Sequence, residues 1–471
     1  MAAPSELGGR IGRALGNAAA RANIARAMYG LQKKRLLAFP DAAELERLRD
    51  AGEAIKRRAI ARLPDLLETL EASCARNGTQ VHWAETAEDA NRLVLDILQR
   101  HGARDLIKGK SMVSEEMGLN AALAAAGIEP IESDLGEFII QIGGEGPSHI
   151  IAPAVHKSRF EVAALFREHF PDLPHGDEIE SLCASARAIL RRRFRAADAG
   201  LSGANFLVAE TGTLVLVENE GNGRLSTTAP AVHIAVAGIE KVVERLADVP
   251  PLLRLLVRSA TGQPITTYVN FISGPRKADE KDGPREVHLV LLDNGRSRLY
   301  ADPELRESLR CIRCGACMNH CPVYVRLGGH AYGTVYPGPI GTVLEPARAG
   351  LGRLGELTEA STLCGACSEV CPVRIPLPSL IHRLRHDAVR TDGAGAAGSG
   401  ARRRRLEALV WRAWAFVHAR PAWYRLWTAT ATRLRALAPR RIAGWSDARA
   451  TPRPATRSLH ALARERGLDR E

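Results

Sequence analysis

The spacing of hydrophobic and polar residues predicts an α/β domain between about residues 81 and 294, where apolar runs alternate with helical patterns. The segment Ala87–Arg100 is typical of an amphipathic helix, because Leu93 and Ile97 fall on one face. A short strand is predicted at 105–107. Ser114 is the predicted N-cap of the next helix, since a serine hydroxyl accepts hydrogen bonds from the first helical turn.

Five further apolar runs predict buried strands, which a mostly parallel sheet covered by helices leaves hydrophobic on both faces. They are residues 138–142, 213–217, 232–237, 267–272 and 287–292. Loops that follow such strands are where α/β folds bind ligands, and here they are polar and glycine-rich, at 143–146, 219–224 and 293–296. They contain neither a Walker P-loop nor a G-x-G-x-x-G fingerprint, so no motif supports nucleotide binding.

Seven acidic, basic or histidine residues in or near these loops are candidates for a carboxylate-binding or acid–base site. They are Asp134, Glu137, His149, His156, Glu210, Glu220 and Arg224. Among them, Glu210, Glu220 and Arg224 are the candidates for catalysis. The alternative is that these side chains are solvated or structural, since their spacing does not show that they converge.

The patterns divide the 471 residues into five regions. These are an N-terminal helical arm (1–68), the α/β domain (69–300), a cysteine-rich module (301–390), a flexible linker (391–400) and a C-terminal helical region (401–471). The arm is interpreted as an ordinary helical segment rather than a transit peptide, because its helical pattern continues past Arg47 toward Leu70.

The C-terminal region carries the whole net charge of +12, because it holds 17 arginines, no lysine and five acidic residues. It also holds five of the six tryptophans, Trp411, Trp414, Trp423, Trp427 and Trp445. Three interpretations remain open: an appendage packed on the rest of the protein, a peripheral contact with an anionic membrane or a quinone, or a contact with an acidic partner protein. No nucleic-acid partner is expected, because no recognition motif accompanies the charge. No apolar run approaches the roughly 18 residues of a membrane span, so we expect a cytoplasmic protein, at most peripheral at the inner face of the membrane.

Seven of the nine cysteines fall in two short runs, C-I-R-C-G-A-C-M-N-H-C-P from residue 311 and C-G-A-C-S-E-V-C-P from residue 364. In two-cluster ferredoxins, closely spaced thiolates hold one iron–sulfur cluster and the cysteine before proline completes the other. The predicted ligands of cluster 1 are therefore Cys311, Cys314, Cys317 and Cys371. Those of cluster 2 are Cys321, Cys364 and Cys367.

Cluster 2 lacks a fourth cysteine, and Ser361 stands where the ferredoxin pattern expects one. The cluster is then either [3Fe–4S], or [4Fe–4S] with serine, water or a partner's side chain as fourth ligand. We favour two [4Fe–4S] clusters. Zinc is the alternative metal, but seven cysteines divide badly into four-thiolate sites. Cys74 and Cys183 are predicted to be buried, inert thiols.

Several stretches resemble the LUD domain of lactate-utilisation proteins. They are K-S-M-V-S-E-E from residue 110, P-S-H-I from 147, G-A-N-F from 203, A-E-T-G-T from 209 and N-E-G-N from 219. The two cysteine runs and the segment between 329 and 339 are similar to the iron–sulfur subunit of the same system. From the N-terminal arm through Leu380 the chain resembles the lactate-utilisation protein B family, and residues 420–426 extend the similarity at lower specificity.

The resemblance implies an α/β LUD domain, related to the sugar-isomerase and CoA-transferase fold, followed by a small, mainly α-helical two-cluster 4Fe–4S module. It implies oxidation of L-lactate to pyruvate with two partners, the cysteine-rich iron–sulfur lactate-utilisation protein A and the LUD-domain lactate-utilisation protein C. The family likewise lacks the eighth cysteine, so Ser361 agrees with its pattern.

The combined prediction is an electron-transfer subunit rather than a substrate-oxidising chain, because the sequence shows no flavin or nicotinamide fingerprint. Two alternatives remain. The LUD domain itself could bind and oxidise a 2-hydroxy acid near Glu210 and Arg224. The clusters could instead be structural or redox-sensing in an assembly factor.

Overall fold

A computed structural model describes residues 6–172, 176–390, 405–441, 450–451 and 453–468. The predicted linker 391–400, the arginines at 402–404 and Trp445 lie outside the described residues. The chain divides into two compact units, residues 1–401 and 402–471.

From residue 6, where the description begins, the N-terminal arm consists of four helices, α1 (Glu6–Gly16), α2 (Ala18–Ala38), α3 (Ala42–Ala61) and α4 (Leu63–Arg76). Side chains cap two of them: Asn17 Oδ1 accepts from Ala20 N at 3.0 Å, and Asp41 Oδ1 accepts from Ala43 N at 2.8 Å. The helical pattern predicted as far as Leu70 is therefore present.

In the part of the chain that the structure describes, ten strands form two sheets. They are β1 (Gln80–Ala84), β2 (Asp105–Lys108), β3 (Glu129–Glu132), β4 (Ala199–Ser202), β5 (Phe206–Val208), β6 (Thr213–Glu218), β7 (Val232–Gly238), β8 (Val242–Val243), β9 (Tyr268–Ile272) and β10 (Glu286–Leu292). Six of them make an all-parallel sheet in the order β1-β10-β7-β4-β2-β3. The predicted strands in β2, β7 and β10 belong to it, and β7 is buried throughout, as a central parallel strand is.

The remaining strands form a separate sheet in the order β8-β5-β6-β9, in which β6 is antiparallel to both β5 and β9. The prediction that residues 213–217 and 267–272 lie in one mostly parallel sheet is therefore wrong, although both segments are strands. The physical reason is the tight turn between β5 and β6. Gly212 in this turn has φ +65°, and so short a connection cannot make the crossover that parallel strands require.

Nine helices accompany the sheets in the described part of residues 87–301. They are α5 (Ala87–Arg100), α6 (Met112–Glu116), α7 (Leu119–Ala125), α8 (Leu135–Ile142), α9 (Arg159–His169), α10 (Ile179–Ala196), α11 (Asn222–Thr228), α12 (Val249–Ala260) and α13 (Arg296–Ala301). Helix α5 confirms the amphipathic pattern: Val94 and Ile97 are buried, and a capping box between Thr86 and Asp89 starts the helix.

Two local predictions are wrong. Residues 138–142 are not a strand but the end of α8, because Asp134 Oδ1 accepts hydrogen bonds from Gly136 N and Glu137 N and starts a helix there. A run of five apolar residues does not distinguish a buried strand from a buried helix. The N-cap of α6 is Ser111 rather than Ser114, since Ser111 Oγ accepts from Ser114 N at 3.3 Å.

The cysteine-rich module is mainly α-helical. Its helices are α14 (Ala316–Asn319), α15 (Pro322–Leu327), α16 (Gly338–Ala349), α17 (Leu351–Leu354), α18 (Ala366–Glu369) and α19 (Leu377–Arg390). One hydrophobic core joins this module to the N-terminal arm and includes Met28 and Tyr324. Arg49 of α3 also donates to Cys371 O at 3.1 Å, so the arm directly supports a cysteine loop.

In the second unit the structure describes three helices, α20 (Arg405–His418), α21 (Pro421–Arg433) and α22 (Leu459–Glu465). Trp411, Trp414, Trp423 and Trp427 are each about half exposed. Among the described residues, no helix combines the length and the apolar character needed to cross a membrane.

Candidate iron–sulfur centres and the adjoining cavity

The four thiols predicted for cluster 1 line one small cavity in the helical module. They are Cys311, Cys314, Cys317 and Cys371. Three of them come from the loop before α14 and from α14 itself, and the fourth follows α18. The other walls are mainly apolar and include Ile312, Ile340 and Leu377. The fold thus brings the two distant cysteine runs together, while iron binding by these thiols remains a prediction.

Backbone N–H groups point at the sulfur atoms of this cavity. Arg313 N donates to Cys311 Sγ at 3.4 Å, and Ile375 N donates to Cys371 Sγ at 3.3 Å. Arg313 adopts φ +61° to make this turn, a conformation that is uncommon for residues other than glycine. Because such donors stabilise thiolates and tune iron–sulfur centres, the thiols, donors and apolar walls together fit an iron–sulfur cluster.

The three thiols predicted for cluster 2 lie close to one another beside the first group. Cys321 is the N-cap of α15, Cys367 lies in α18, and Cys364 is exposed just before α18. Burial, followed by the neighbouring Cys321 and Cys364, raises the pKa of Cys367 to about 12. Because Cys364 is exposed, this second thiol group lies nearer the surface than the first.

Ser361 occupies the same local geometry as Cys311. Leu363 N donates to Ser361 Oγ at 3.1 Å, as Arg313 N does to Cys311 Sγ. Leu363 has φ +57°, close to the +61° of Arg313, and the glycine that follows each next cysteine is also left-handed. The two runs therefore share one backbone conformation, in which Ser361 Oγ takes the position that Cys311 Sγ has in the first run.

The other two cysteines lie outside both runs. Cys74 is fully buried in α4, and burial raises its pKa to about 11, which agrees with an inert thiol. Cys183 in α10 is only partly buried, so the prediction that it is a buried thiol is wrong. Helix α10 is amphipathic, and its core-facing positions are held by other residues such as Leu182 and Ile189.

A buried ion network joins the α/β domain to the cysteine-rich module. Arg296 makes a bidentate pair with Glu116, with both N···O distances at 2.8 Å, and its Nε lies 2.6 Å from Glu240 Oε2. From the module, Arg313 Nη2 lies 3.1 Å from Glu240 Oε1, and the Tyr336 hydroxyl donates to Glu116 at 2.8 Å. Burial alone would raise the pKa of both carboxyls, but the arginines lower each pKa to about 2.

Beside this network lies a cavity of about 310 Å³. Residues at or just after strand ends of both sheets line it, namely Lys110, Ser111, Glu218 and Glu220. The helical module contributes Arg313 and Tyr336. Arg313 also stands two residues after Cys311, and its guanidinium lies 4.8 Å from the centre of the Tyr336 ring. The cavity therefore adjoins the predicted cluster 1.

The structure brings only some of the predicted site residues to this cavity. Asp134 and Glu220 line it. Glu137 is buried nearby, where burial and then Glu132 raise its pKa to about 8. Burial and then Asp134 also raise the pKa of Glu220 to about 7. These carboxyls differ from ordinary surface acids, which titrate near pH 4.

The other four predicted residues lie elsewhere. Glu210 is exposed and accepts from Leu246 N, while the Arg224 guanidinium lies over the Tyr268 ring. His149 is buried against Asn319, and His156 pairs with Glu145. None of Glu210, Arg224, His149 or His156 is among the described residues that line the cavity.

Sequence reasoning missed Lys241, Arg313 and Tyr336 as residues of this site. Arg313 lies inside the first cysteine run, and Tyr336 lies in the segment 329–339 that resembles the family, so both positions stand in recognisable motifs. Lys241 follows β7 in a short helical turn and stands in no such motif. Burial lowers the pKa of Lys241 to about 8.

Three family models match the chain. The LUD domain matches residues 67–292, the 4Fe-4S dicluster domain matches 307–375, and the C-terminal domain of lactate utilisation protein B matches 383–468. These matches agree with the fold, which is an α/β LUD domain with a parallel sheet, followed by a dicluster domain.

Relatives match over most of the chain. Lactate utilization protein B of Bacillus subtilis strain 168 is 42% identical over 385 residues, which cover 82% of this chain and 80% of the relative. YkgF of Escherichia coli strain K12, described as an uncharacterized electron transport protein, is 44% identical over 79% of this chain and 78% of its own. A solved DUF162 family protein from Deinococcus radiodurans covers 49% of this chain and 98% of its own at 15% identity, with a TM-score of only 0.28.

The relative from Lysinibacillus sphaericus strain C3-41, also called lactate utilization protein B, extends the match to 94% of both chains at 38% identity. The LUD, dicluster and C-terminal family models match this chain in that order. The chain belongs to the lactate utilization protein B family.

Proposed function

We propose that this chain is the iron–sulfur electron-transfer subunit of a system that oxidises L-lactate to pyruvate. The observation that carries the proposal is the single cavity lined by four thiols from two distant runs. Clusters bound by these thiols supply one-electron transfer. The chain's own residues contribute the thiolates, the N–H donors at sulfur and the apolar walls that exclude water. The names of the relatives, which refer to lactate utilization and electron transport, support the same role.

In this proposal cluster 1 is held by Cys311, Cys314, Cys317 and Cys371. Cluster 2 is held by Cys321, Cys364 and Cys367, with Ser361 as its fourth ligand. Both are [4Fe–4S]. Lactate-utilisation proteins A and C are the proposed partners, and lactate oxidation takes place with them. Catalysis by this chain near Glu210 and Arg224 is not favoured, because neither of these two described side chains lines the cavity beside cluster 1.

The test uses anaerobically purified full-length chain. It should contain about eight iron atoms with matching acid-labile sulfide, as two four-iron clusters require. Mixed with L-lactate alone, its clusters should stay oxidised by EPR, and they should be reduced once proteins A and C are added. Reduction by lactate without partners would reject the electron-transfer assignment in favour of catalysis by this chain. A fully active form without iron or sulfide would reject the clusters altogether.

Substitution of Ser361 tests the fourth ligand of cluster 2. Because serine binds iron less strongly than cysteine, mild oxidation of the wild type is expected to release one iron and give a [3Fe–4S] EPR signal. Ser361→Cys should suppress this signal, and Ser361→Ala should increase it. The control is Thr362→Ala at the exposed neighbouring position, which should behave like the wild type. Identical signals in Ser361→Cys, Ser361→Ala and wild type would exclude Ser361 as a ligand.

We also propose that the C-terminal region makes a peripheral contact with an anionic membrane. Its half-exposed tryptophans and its excess of arginine suit the boundary between headgroups and acyl chains. The full chain is expected to sediment with vesicles that contain phosphatidylglycerol, and less so as salt is raised. Deletion of residues 401–471 should abolish sedimentation and leave the iron content unchanged. Loss of iron would show instead that the region supports the clusters.

A further inference from the structure

We propose that the 310 Å³ cavity beside the predicted cluster 1 binds a small organic carboxylate, with the Lys241 ammonium as its charge partner and Arg313 as the second cation. The site is built from the LUD domain and the cysteine-rich module together. Its volume lies at the lower end of the roughly 300–1,000 Å³ of small-molecule sites.

The missing partner of the Lys241 ammonium in the described structure is the observation that points to an anionic ligand. Lys241 is only 7% exposed and lines the cavity, yet its ammonium makes no hydrogen bond and no ion pair with any described residue. Other buried lysines of the described chain are satisfied: Lys56 Nζ donates to Glu240 O at 2.8 Å, and Lys108 Nζ lies 2.5 Å from Glu132. A cation on a mostly buried side chain without a direct partner is costly, and a carboxylate in the cavity would lower that cost.

Arg313 adds a second cation that is only partly satisfied. Its Nη2 pairs with Glu240, whereas its Nη1 is buried without a hydrogen-bond partner among the described residues. A flat guanidinium beside an ammonium is a common arrangement for holding a carboxylate.

The acids of the cavity do not neutralise these cations. Glu218 accepts from Gly223 N at 2.6 Å and from Arg224 N at 2.8 Å, and Glu220 accepts from Leu135 N at 3.1 Å. Backbone N–H groups thus engage both acids, Glu218 from its own loop and Glu220 from the start of α8. The charge of these acids disfavours polyanions such as nucleotides, so the geometry selects a ligand with a single negative charge.

The remaining walls suit a short apolar body. Ile151, Leu216, Leu256 and Val257 line the cavity together with the small residues Gly203 and Ala204. These surfaces suit methyl and methylene groups, whose burial away from water is favourable. The ligand class is therefore a small monocarboxylate with an aliphatic portion.

A simpler role for Lys241 is that of a counter-charge to the predicted cluster 1. The two roles predict different results with added ligand. A counter-charge leaves the protein indifferent to organic acids, whereas a binding site distinguishes an acid from its uncharged amide of the same shape.

The experiment uses cluster-loaded, anaerobic full-length protein and measures binding by isothermal titration calorimetry and ligand-observed NMR. The probes are pyruvate, L-lactate and lactamide, and the choice of 2-oxo and 2-hydroxy acids rests on the proposed function. Pyruvate or lactate is expected to bind with a Kd below about 1 mM, and lactamide at least about tenfold more weakly. Equal binding of lactate and lactamide, or no binding of either acid, would overturn the proposal.

Variants locate the site. Lys241→Met, which keeps the side-chain length and removes the charge, is expected to weaken acid binding at least about tenfold, and Lys241→Arg should retain most of it. The matched control is Lys33→Met at an exposed position of α2, which should bind like the wild type. Unchanged affinity in Lys241→Met would reject the site. If that variant fails to load iron, the comparison of acid with amide on wild-type protein decides the question.

The two proposals fail separately. If the protein binds the carboxylate but its clusters accept no electrons through the partners, the binding site is supported and the proposed function is rejected. Reduction of the clusters through the partners, with no carboxylate binding, would reject this site alone.

Discussion

Replacing Cys314 with alanine is expected to remove cluster 1, lower the iron content from about eight to about four atoms, and abolish lactate-dependent electron transfer. Cys314 is 7% exposed and lines the cavity with the three other thiols, so no other described cysteine is placed to substitute for it. Loss of a direct ligand should exceed the roughly 10- to 100-fold effect of losing an outer hydrogen bond. Turnover of the complex reconstituted with proteins A and C measures the effect, together with iron analysis and EPR.

The matched control is Cys183→Ala, since this cysteine lies in α10 outside both cysteine runs and is partly exposed. It should keep all its iron and wild-type turnover. If Cys314→Ala assembles with the partners and turns over normally, cluster 1 is not part of the electron path. The clusters would then be structural or redox-sensing, which is the role that the sequence left open.

Replacing Arg296 with methionine is expected to lower the free energy of unfolding by about 3–5 kcal/mol. Arg296 is 3% exposed, and it is bonded to Glu116 and Glu240, whose side chains are fully buried. Its loss leaves two carboxylates in the interior without their main cation, and such uncompensated charge is among the most destabilising changes in a protein. Chemical denaturation of the cluster-loaded protein, followed by circular dichroism under anaerobic conditions, measures the change.

The control for Arg296 is Arg193→Met. Arg193 pairs with Glu129 at 2.9 Å, but its side chain is 44% exposed, so its removal should cost at most about 1 kcal/mol. An equal loss of stability in the two variants would show that the buried network stabilises the protein no more than an exposed ion pair does.

The stability deficit of Arg296→Met, meaning its loss in free energy of unfolding relative to the wild type, should also depend on pH. In the wild type the pKa of Glu116 and of Glu240 is about 2, below the usual 4.5. The contribution of these two carboxyls to the free energy of unfolding is therefore complete above about pH 4.5 and is lost only as the pH falls toward 2. It does not change between pH 8 and 6. Without Arg296, burial raises both pKa values, so the native variant takes up protons that its unfolded state does not. Its deficit should shrink from pH 8 to pH 6, and a constant deficit would contradict this assignment.

The periodicity of hydrophobic residues and the spacing of cysteines determined much of the secondary structure and of the predicted chemistry of this protein. Helix α5 and strands β7 and β10 follow from local patterns, because burial of one helix face or of a whole parallel strand leaves a regular trace in the sequence. The cysteine runs determined the predicted chemistry for a similar reason. Cluster ligands spaced three residues apart lie in one short loop, so their geometry is almost wholly local.

Only the tertiary structure decided the rest. Burial patterns report that a segment is apolar but not which partner covers it. Residues 138–142 are therefore helical, and β6 belongs to a separate mixed sheet in which it is antiparallel to both neighbours. The convergence of Lys241, Arg313 and Glu220 on one cavity also left no periodic trace, because they lie on three separate segments. Glu210 and Arg224, which the sequence does not distinguish from Glu220 as candidates, make their contacts outside the cavity lining. Long-range contacts of this kind depend on how the LUD domain and the cysteine-rich module pack together, and no fixed spacing along the chain encodes them.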